Sequence, residues 1–253
     1  MSPSARRTLA ILSFAAAVLA ACLGAARPRG ASTVGILGVD VSGLSPVVTH
    51  PFAPFSLIKR AVFEGHELDE DTKDTLQVRV LLTVREAPEP IAGAMATVVE
   101  TVDYEQGAIV EKSREYYAQD RSGAVFLLAE KVDDVSDGKV VGHAGQWVAG
   151  EKRARAGLYM PAEPAVGGVF EQEVAPGVSE SRSRVSRMNL SVTVPFGDCA
   201  DCLETDVVDP ATKATGTKIY CRGKGRVSDW SKMHSLKLVE LELRTPPPQP
   251  EAK

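Results

Sequence analysis

The residues of this chain best suited to chemistry are carboxylates and tyrosines grouped near predicted strand ends. Glu171, Gln172 and Glu173 are consecutive, and in an extended strand Glu171 and Glu173 share a face because side chains alternate with a period of two. Together with Glu130 they could supply the two carboxyl groups of a glycosidase. No feature of the sequence fixes their separation, and a solvated strand face would have the same composition. The segment Glu115-Tyr116-Tyr117-Ala118-Gln119-Asp120 places two tyrosines and polar partners at a strand end beside a turn, where a sheet presents side chains to a ligand. Tyr117, Gln119 and Asp120, with Trp147 and Glu173, form the candidate ligand-binding set. Tyr159, Met160 and Phe170 could line the same concave face. Alternation sends Tyr116 and Tyr117 to opposite faces, so only one of them can meet a cavity.

Other catalytic patterns find little support. His50, His66, His143 and His234 are far apart, no Gly-x-Ser-x-Gly elbow occurs, and Ser231 beside Trp230 has no supporting context for serine hydrolysis. The run Asp133 to Gly138 has the acids and glycine of a calcium loop, but Val135 and Ala144 stand at loop positions that need oxygen ligands. The acidic stretch from Glu64 to Asp71 could attract a divalent cation weakly, as could any charged loop. The sequence therefore predicts no catalytic set, no metal site and no cofactor.

Cysteine has a clearer meaning. Arg6-Arg7 precede an apolar run from Leu9 to Ala21 that is shorter than the roughly 20 residues of a spanning helix. Such a run is the core of an export signal. Leu19-Ala20-Ala21-Cys22 then matches a lipoprotein cleavage box, which makes Cys22 the lipidation site of a bacterial cell-envelope protein. Leu23 in the next position favours the outer membrane, facing the periplasm or the surface. If Cys22 is not acylated, the chain is simply secreted. Cys199, Cys202 and Cys221 then face an oxidising space where disulfides persist. A Cys202–Cys221 bridge between two predicted strands is the preferred pairing, with Cys199 left over. Cys199-Ala-Asp-Cys202 lacks the strand-to-helix context of a redox motif.

The elements that must position these groups are strands. Of 253 residues, 44% are hydrophobic and 25% charged, and the net charge of -4 offers no basic surface for nucleic acid. Thr75 to Val84 alternates cleanly. Ala94 to Tyr104, Ala108 to Gln119, Ala124 to Lys131 and Lys139 to His143 follow, with turns at Glu105-Gln106-Gly107, Asp120 to Gly123 and Asp137-Gly138. Shorter segments at Gly145–Val148, Gly157–Met160 and Val169–Val174 lead to Ser183–Val194, Cys202–Val208, Thr215–Val227 and Leu236–Arg244. A brief helix could begin near Asp229. The predicted organisation is a signal peptide over 1–21, a lipid-anchor and tether over 22–50, one β domain over 51–245, and a Pro-rich disordered tail over 246–253. The predicted fold is all-β: an antiparallel meander forming a curled barrel, open or closed, with little helix.

Several motifs occur in order: Tyr117-Ala-Gln-Asp120-Arg-Ser-Gly123-Ala-Val-Phe126-Leu-Leu-Ala-Glu130, Gly145-Gln-Trp147-Val-Ala-Gly150, Ala156-Gly157-Leu-Tyr-Met160-Pro-Ala-Glu-Pro164, Gly168-Val-Phe-Glu-Gln172-Glu173-Val-Ala-Pro176-Gly177 and Ile219-Tyr220-Cys221-Arg-Gly223-Lys-Gly225. In this series the chain resembles a family of uncharacterised bacterial secreted and lipoprotein-type β domains, from about Phe52 to Leu243. The resemblance implies an extracytoplasmic β domain and carries no established activity. The expectation is a non-catalytic, membrane-anchored domain that binds an envelope protein or an apolar ligand. The alternative is an extracytoplasmic hydrolase or glycosidase using paired carboxylates.

Overall fold

Alternating apolar and polar residues, with no helical stretch to compete, leave the backbone one economical way to pair its amides, the antiparallel ladder. The computed structural model, which describes residues 38–69 and 72–245, adopts it almost throughout. The strands are β1 (Ile58–Leu68), β2 (Thr75–Val84), β3 (Glu89–Ile91), β4 (Ala94–Glu105), β5 (Ala108–Gln119), β6 (Val125–Ser136), β7 (Lys139–Gly142) and β8 (Trp147–Val148). They continue as β9 (Gly157–Met160), β10 (Val169–Ala175), β11 (Ser179–Val194), β12 (Gly197–Val208), β13 (Thr215–Cys221), β14 (Gly225–Ser231) and β15 (His234–Leu243).

All belong to one sheet in the order β10-β11-β12-β13-β14-β15-β1-β2-β4-β5-β6-β7, with β3 beside β4 and with β8 and β9 beside β6. The sheet curls until its two ends touch. Arg155, just before β9, donates its backbone N–H to the Val174 carbonyl of β10 at 2.8 Å, as an isolated bridge. No continuous ladder joins β9 to β10, so the fold is a curled all-β sheet and not a closed barrel.

Packing is on both faces. Under the β4–β6 face, Val98, Tyr116, Ala118 and Leu128 are buried beneath Ile91, Leu44 and Ala156. The long β11–β12 hairpin folds back onto β15, where Phe196 donates its backbone N–H to Leu238. A cluster of Val194, Cys199, Cys202, Cys221, Val227, Leu236 and Leu238 forms there. Cys202 and Cys221 are directly opposed between β12 and β13 and form the disulfide, while Cys199 is a buried free thiol.

The predicted tether boundary at residue 50 falls inside the fold. Ser45 bridges Gln119, and Val48, Phe52, Ala53 and Phe55 are buried as the chain crosses one end of the curl, with Gly223 donating to the Pro51 carbonyl. These apolar side chains have a core to enter, which a free tether lacks. The signal peptide, Cys22, the remainder of the tether and the Pro-rich tail lie outside the described residues. Two further expectations are corrected. Thr215 to Val227 is two strands, because Gly223 and Gly225 both adopt positive φ (72° and 75°) and turn the chain. The helix near Asp229 is absent: β14 runs through it, its backbone paired on both sides. The sequence assigns no bounds to β1, because Arg60, Glu64, His66 and Glu67 obscure its alternation.

Candidate functional site

Curling turns one of every two side chains inward, and here many of the inward ones are polar. β4 contributes Thr101 and Asp103, and β5 contributes Glu111, Ser113, Glu115 and Tyr117. Glu130 of β6 and Glu173 of β10 face them, while Lys218, Tyr220 and Arg226 arrive from β13 and β14. Together they border a cavity of about 90 Å³.

Register makes the acids neighbours. Asp103 is the cross-strand partner of Glu111, Glu111 of Asp134, and Glu115 of Glu130. Directly opposed like charges are destabilising, so this arrangement opposes folding unless protons or counter-charges relieve it. Between the two acidic rows, the Thr101 and Ser113 hydroxyls meet at 2.6 Å. Toward the end covered by residues 45–57, the lining becomes aromatic. Phe55 and Tyr117 have ring centroids 4.6 Å apart, Tyr117 and Tyr159 4.8 Å, and Tyr159 and Tyr220 6.1 Å.

A bulge between Glu171 and Glu173 lets Gln172 and Glu173 both approach the interior. Gln172 donates to the Tyr159 carbonyl at 2.9 Å and accepts from the Ser183 hydroxyl at 2.8 Å, which ties β9, β10 and β11 together. Arg226 donates to Asp229 at 2.9 Å and lies over the Phe63 ring.

Burial dominates the electrostatics. It pushes the Asp103 carboxyl up from 3.8 to about 7, with Arg226 opposing and Glu115 and Glu67 adding to the rise. Burial also lifts Glu111 from 4.5 to about 8, reinforced by Asp103, Asp134 and Glu115. Glu115 is raised by burial against the pull of Arg226, and Glu173 by burial against that of Lys218. Tyr117 is raised by burial and by Glu115. Asp229 differs: burial raises it, but His234, Lys218 and Arg226 outweigh that and hold it low.

The predicted site is only partly assembled. Tyr117 and Glu173 do meet at the cavity, as does Glu130. Gln119 instead accepts the Thr49 backbone N–H at 2.7 Å, holding the covering segment. Asp120 accepts the backbone N–H groups of Ser122 and Ala124 at 2.9 and 3.0 Å, a turn role that its place before Gly123 required. Trp147 is packed in the apolar core with Val39, Ala149 and Ala154. Glu171 points outward to Arg182 at 3.1 Å, so it pairs with neither carboxylate. Met160 and Phe170 are core residues, and Tyr116 is buried on the other face, its hydroxyl donating to Glu89. Among the described residues no group of three or more His, Cys, Asp or Glu could hold a metal ion, and Asp133 pairs with His143.

Sequence reasoning missed Asp103, Glu111, Lys218 and Arg226, and named Glu115 only as part of its tyrosine-bearing segment. The available signal was the polar run Glu111-x-Ser113-x-Glu115-x-Tyr117, facing Thr101-x-Asp103. In an ordinary sheet such a stripe marks the solvated face.

One further constellation lies at the β14–β15 turn. The Ser231 hydroxyl is 2.9 Å from His234 Nδ1, and His234 Nε2 is 3.1 Å from Asp229. It has the composition of a catalytic triad, but Ser231 Oγ also accepts the Met233 and His234 backbone N–H groups at 3.0 and 3.2 Å. Two backbone donors from the adjoining turn residues are the pattern of a hairpin cap, and His234 presents Nδ1 to the serine and Nε2 to the aspartate, the reverse of a serine-hydrolase triad. The cluster locks the hairpin over the buried Asp229. Comparison with protein-family models, curated proteins and solved structures finds no match for this chain, so the site rests on its own geometry.

Proposed function

We propose that this chain is a lipid-anchored envelope domain that binds a small polar ligand inside its curled sheet and performs no chemistry on it. The observation that carries the reading is the inward face itself, a charged and hydroxyl-rich lining around a cavity of about 90 Å³. An apolar ligand suits this lining poorly, because carboxylates would lose their solvation without gaining a partner. The glycosidase alternative has Glu130 and Glu173 at one cavity in its favour. Against it, pockets for drug-sized ligands run to about 300–1,000 Å³, well above this one. The lipobox at Cys22 supports the address. A second reading, a protein partner, draws on β7, whose Val140 and Val141 are 54% and 64% exposed on a sheet edge able to accept an added strand.

The test is native mass spectrometry of the protein released gently from membranes, together with a hydrolase and glycosidase substrate panel. A co-released small polar molecule and no turnover are expected. Turnover abolished by Glu130→Gln or Glu173→Gln would establish the enzyme instead. Labelled palmitate should follow the protein and be lost in Cys22→Ser.

A further inference from the structure

We infer that the ligand of the lumen is a compact organic cation, an amine whose ammonium group is received between Asp103 and Glu111. This deepens the reading of the lumen as a binding site and rests on it.

The first support is an excess of acid. Asp103, Glu111, Glu115, Glu130 and Glu173 border the cavity, against Lys218 and Arg226 in its interior and Lys224 beside them. The Arg226 guanidinium is already committed to Asp229 at 2.9 Å. The acids are most closely grouped at the end where Asp103 and Glu111 oppose each other and Asp134 continues the row.

The second is unmet bonding. Asp103 and Glu111 are each only 4% exposed, and Asp103 Oδ1 and Glu111 Oε2 have no hydrogen-bond partner among the described residues. A buried carboxylate oxygen without a donor is costly, and an ammonium group supplies three donors with the opposite charge. An inorganic cation fits less well, since among the described residues no acid cluster has the geometry to hold one.

Glu111 and Glu115 are four residues apart on β5, about 13 Å along the strand, so a short linear diamine held at Asp103 and Glu111 probes that pair alone and does not bridge to the Glu115 row. Binding must displace protons from the first pair. Glu67, Glu115 and Asp134 face that pair with like charge and Arg226 with opposite charge. Uptake of the amine therefore releases protons near neutral pH and strengthens as pH rises from 6 to 8, a range chosen to cross the two carboxyl values of about 7 and about 8.

The experiment is calorimetric titration of the purified protein with putrescine at low salt and pH 8, in two buffers of different ionisation enthalpy, with amide shifts of Lys218 and Arg226 locating the site. One-to-one binding with proton release is expected, weakened at least tenfold in Asp103→Asn/Glu111→Gln. These substitutions remove like-charge repulsion and keep shape, so the variant folds. Absence of putrescine binding, binding unaltered in the variant, or equal binding of calcium chloride would overturn the inference. If 1,4-butanediol or glutarate binds instead and shifts the same amides, the cation is wrong while the lumen remains a ligand site. If none of these compounds shifts them, both fall.

Discussion

Gly157 of β9 lies so close to the Gln172 carbonyl of β10 that a Cβ built on it would sit 1.9 Å from the oxygen. This contact and the Arg155–Val174 bridge bring the two ends of the sheet together. Gly157→Ala must therefore push β9 away from β10, at a cost of about 3 kcal/mol, the upper end for overpacking. Hydrogen exchange should accelerate first at the Arg155 amide, and urea unfolding should move to a lower midpoint. A variant as stable as the parent would mean that the seam yields without cost.

Stability should fall with alkalinity. Asp103 and Glu111 have folded-state values raised above 3.8 and 4.5, so their contribution is complete below those values and is lost as pH rises through about 7 and about 8. Glu111→Gln removes one titrating group. It should flatten this decline and raise the melting temperature at pH 9 by several degrees, given roughly 2–4 °C per kcal/mol for a domain of this size. Thermal unfolding across pH, parent against variant, reads the difference.

The bridge between Cys202 and Cys221 spans 19 residues. A loop of that length contributes about 3 kcal/mol by chain entropy. The paired Cys202→Ala/Cys221→Ala variant should lose that amount in urea unfolding, and non-reduced peptide mapping of the parent should recover this link with Cys199 as a free thiol. A predominant Cys199–Cys202 peptide would contradict the pairing.

Ser231 should behave as a hairpin lock. Ser231→Ala leaves the Met233 and His234 amides without their acceptor, and a loss of about 1 kcal/mol is expected. The parent should not react with a fluorophosphonate probe. Labelling at Ser231 would restore the triad reading.

The fold was largely legible because strand alternation and glycine turns are local signals. Thr75 to Val84 and Ala108 to Gln119 end where the sequence placed them. The site was less so, for a reason that lies in curvature. Glu111, Ser113 and Glu115 carry the pattern of a wet strand face, and only the long-range curl makes that face an interior. Pairing Asp103 with Glu111 needs the register of β4 on β5, including its bulge at Tyr104, which no local pattern specifies. Tyr117 and Glu173, singled out by their position at a strand end and along an alternating run, line the cavity. Gln119 and Asp120, singled out by the same proximity to a turn, serve the backbone.

The disulfide acts as a ruler on the lumen. Cys202 and Cys221 are register partners, and the same ladder sets Leu203 against Tyr220 and Thr205 against Lys218. Slipping β13 by one residue would exchange Lys218 and Tyr220 for Thr217 and Ile219, replacing the interior's lysine with a residue from the outer face. Oxidation of a single thiol pair, formed on the far side of the sheet, thus decides which chemistry the inside presents.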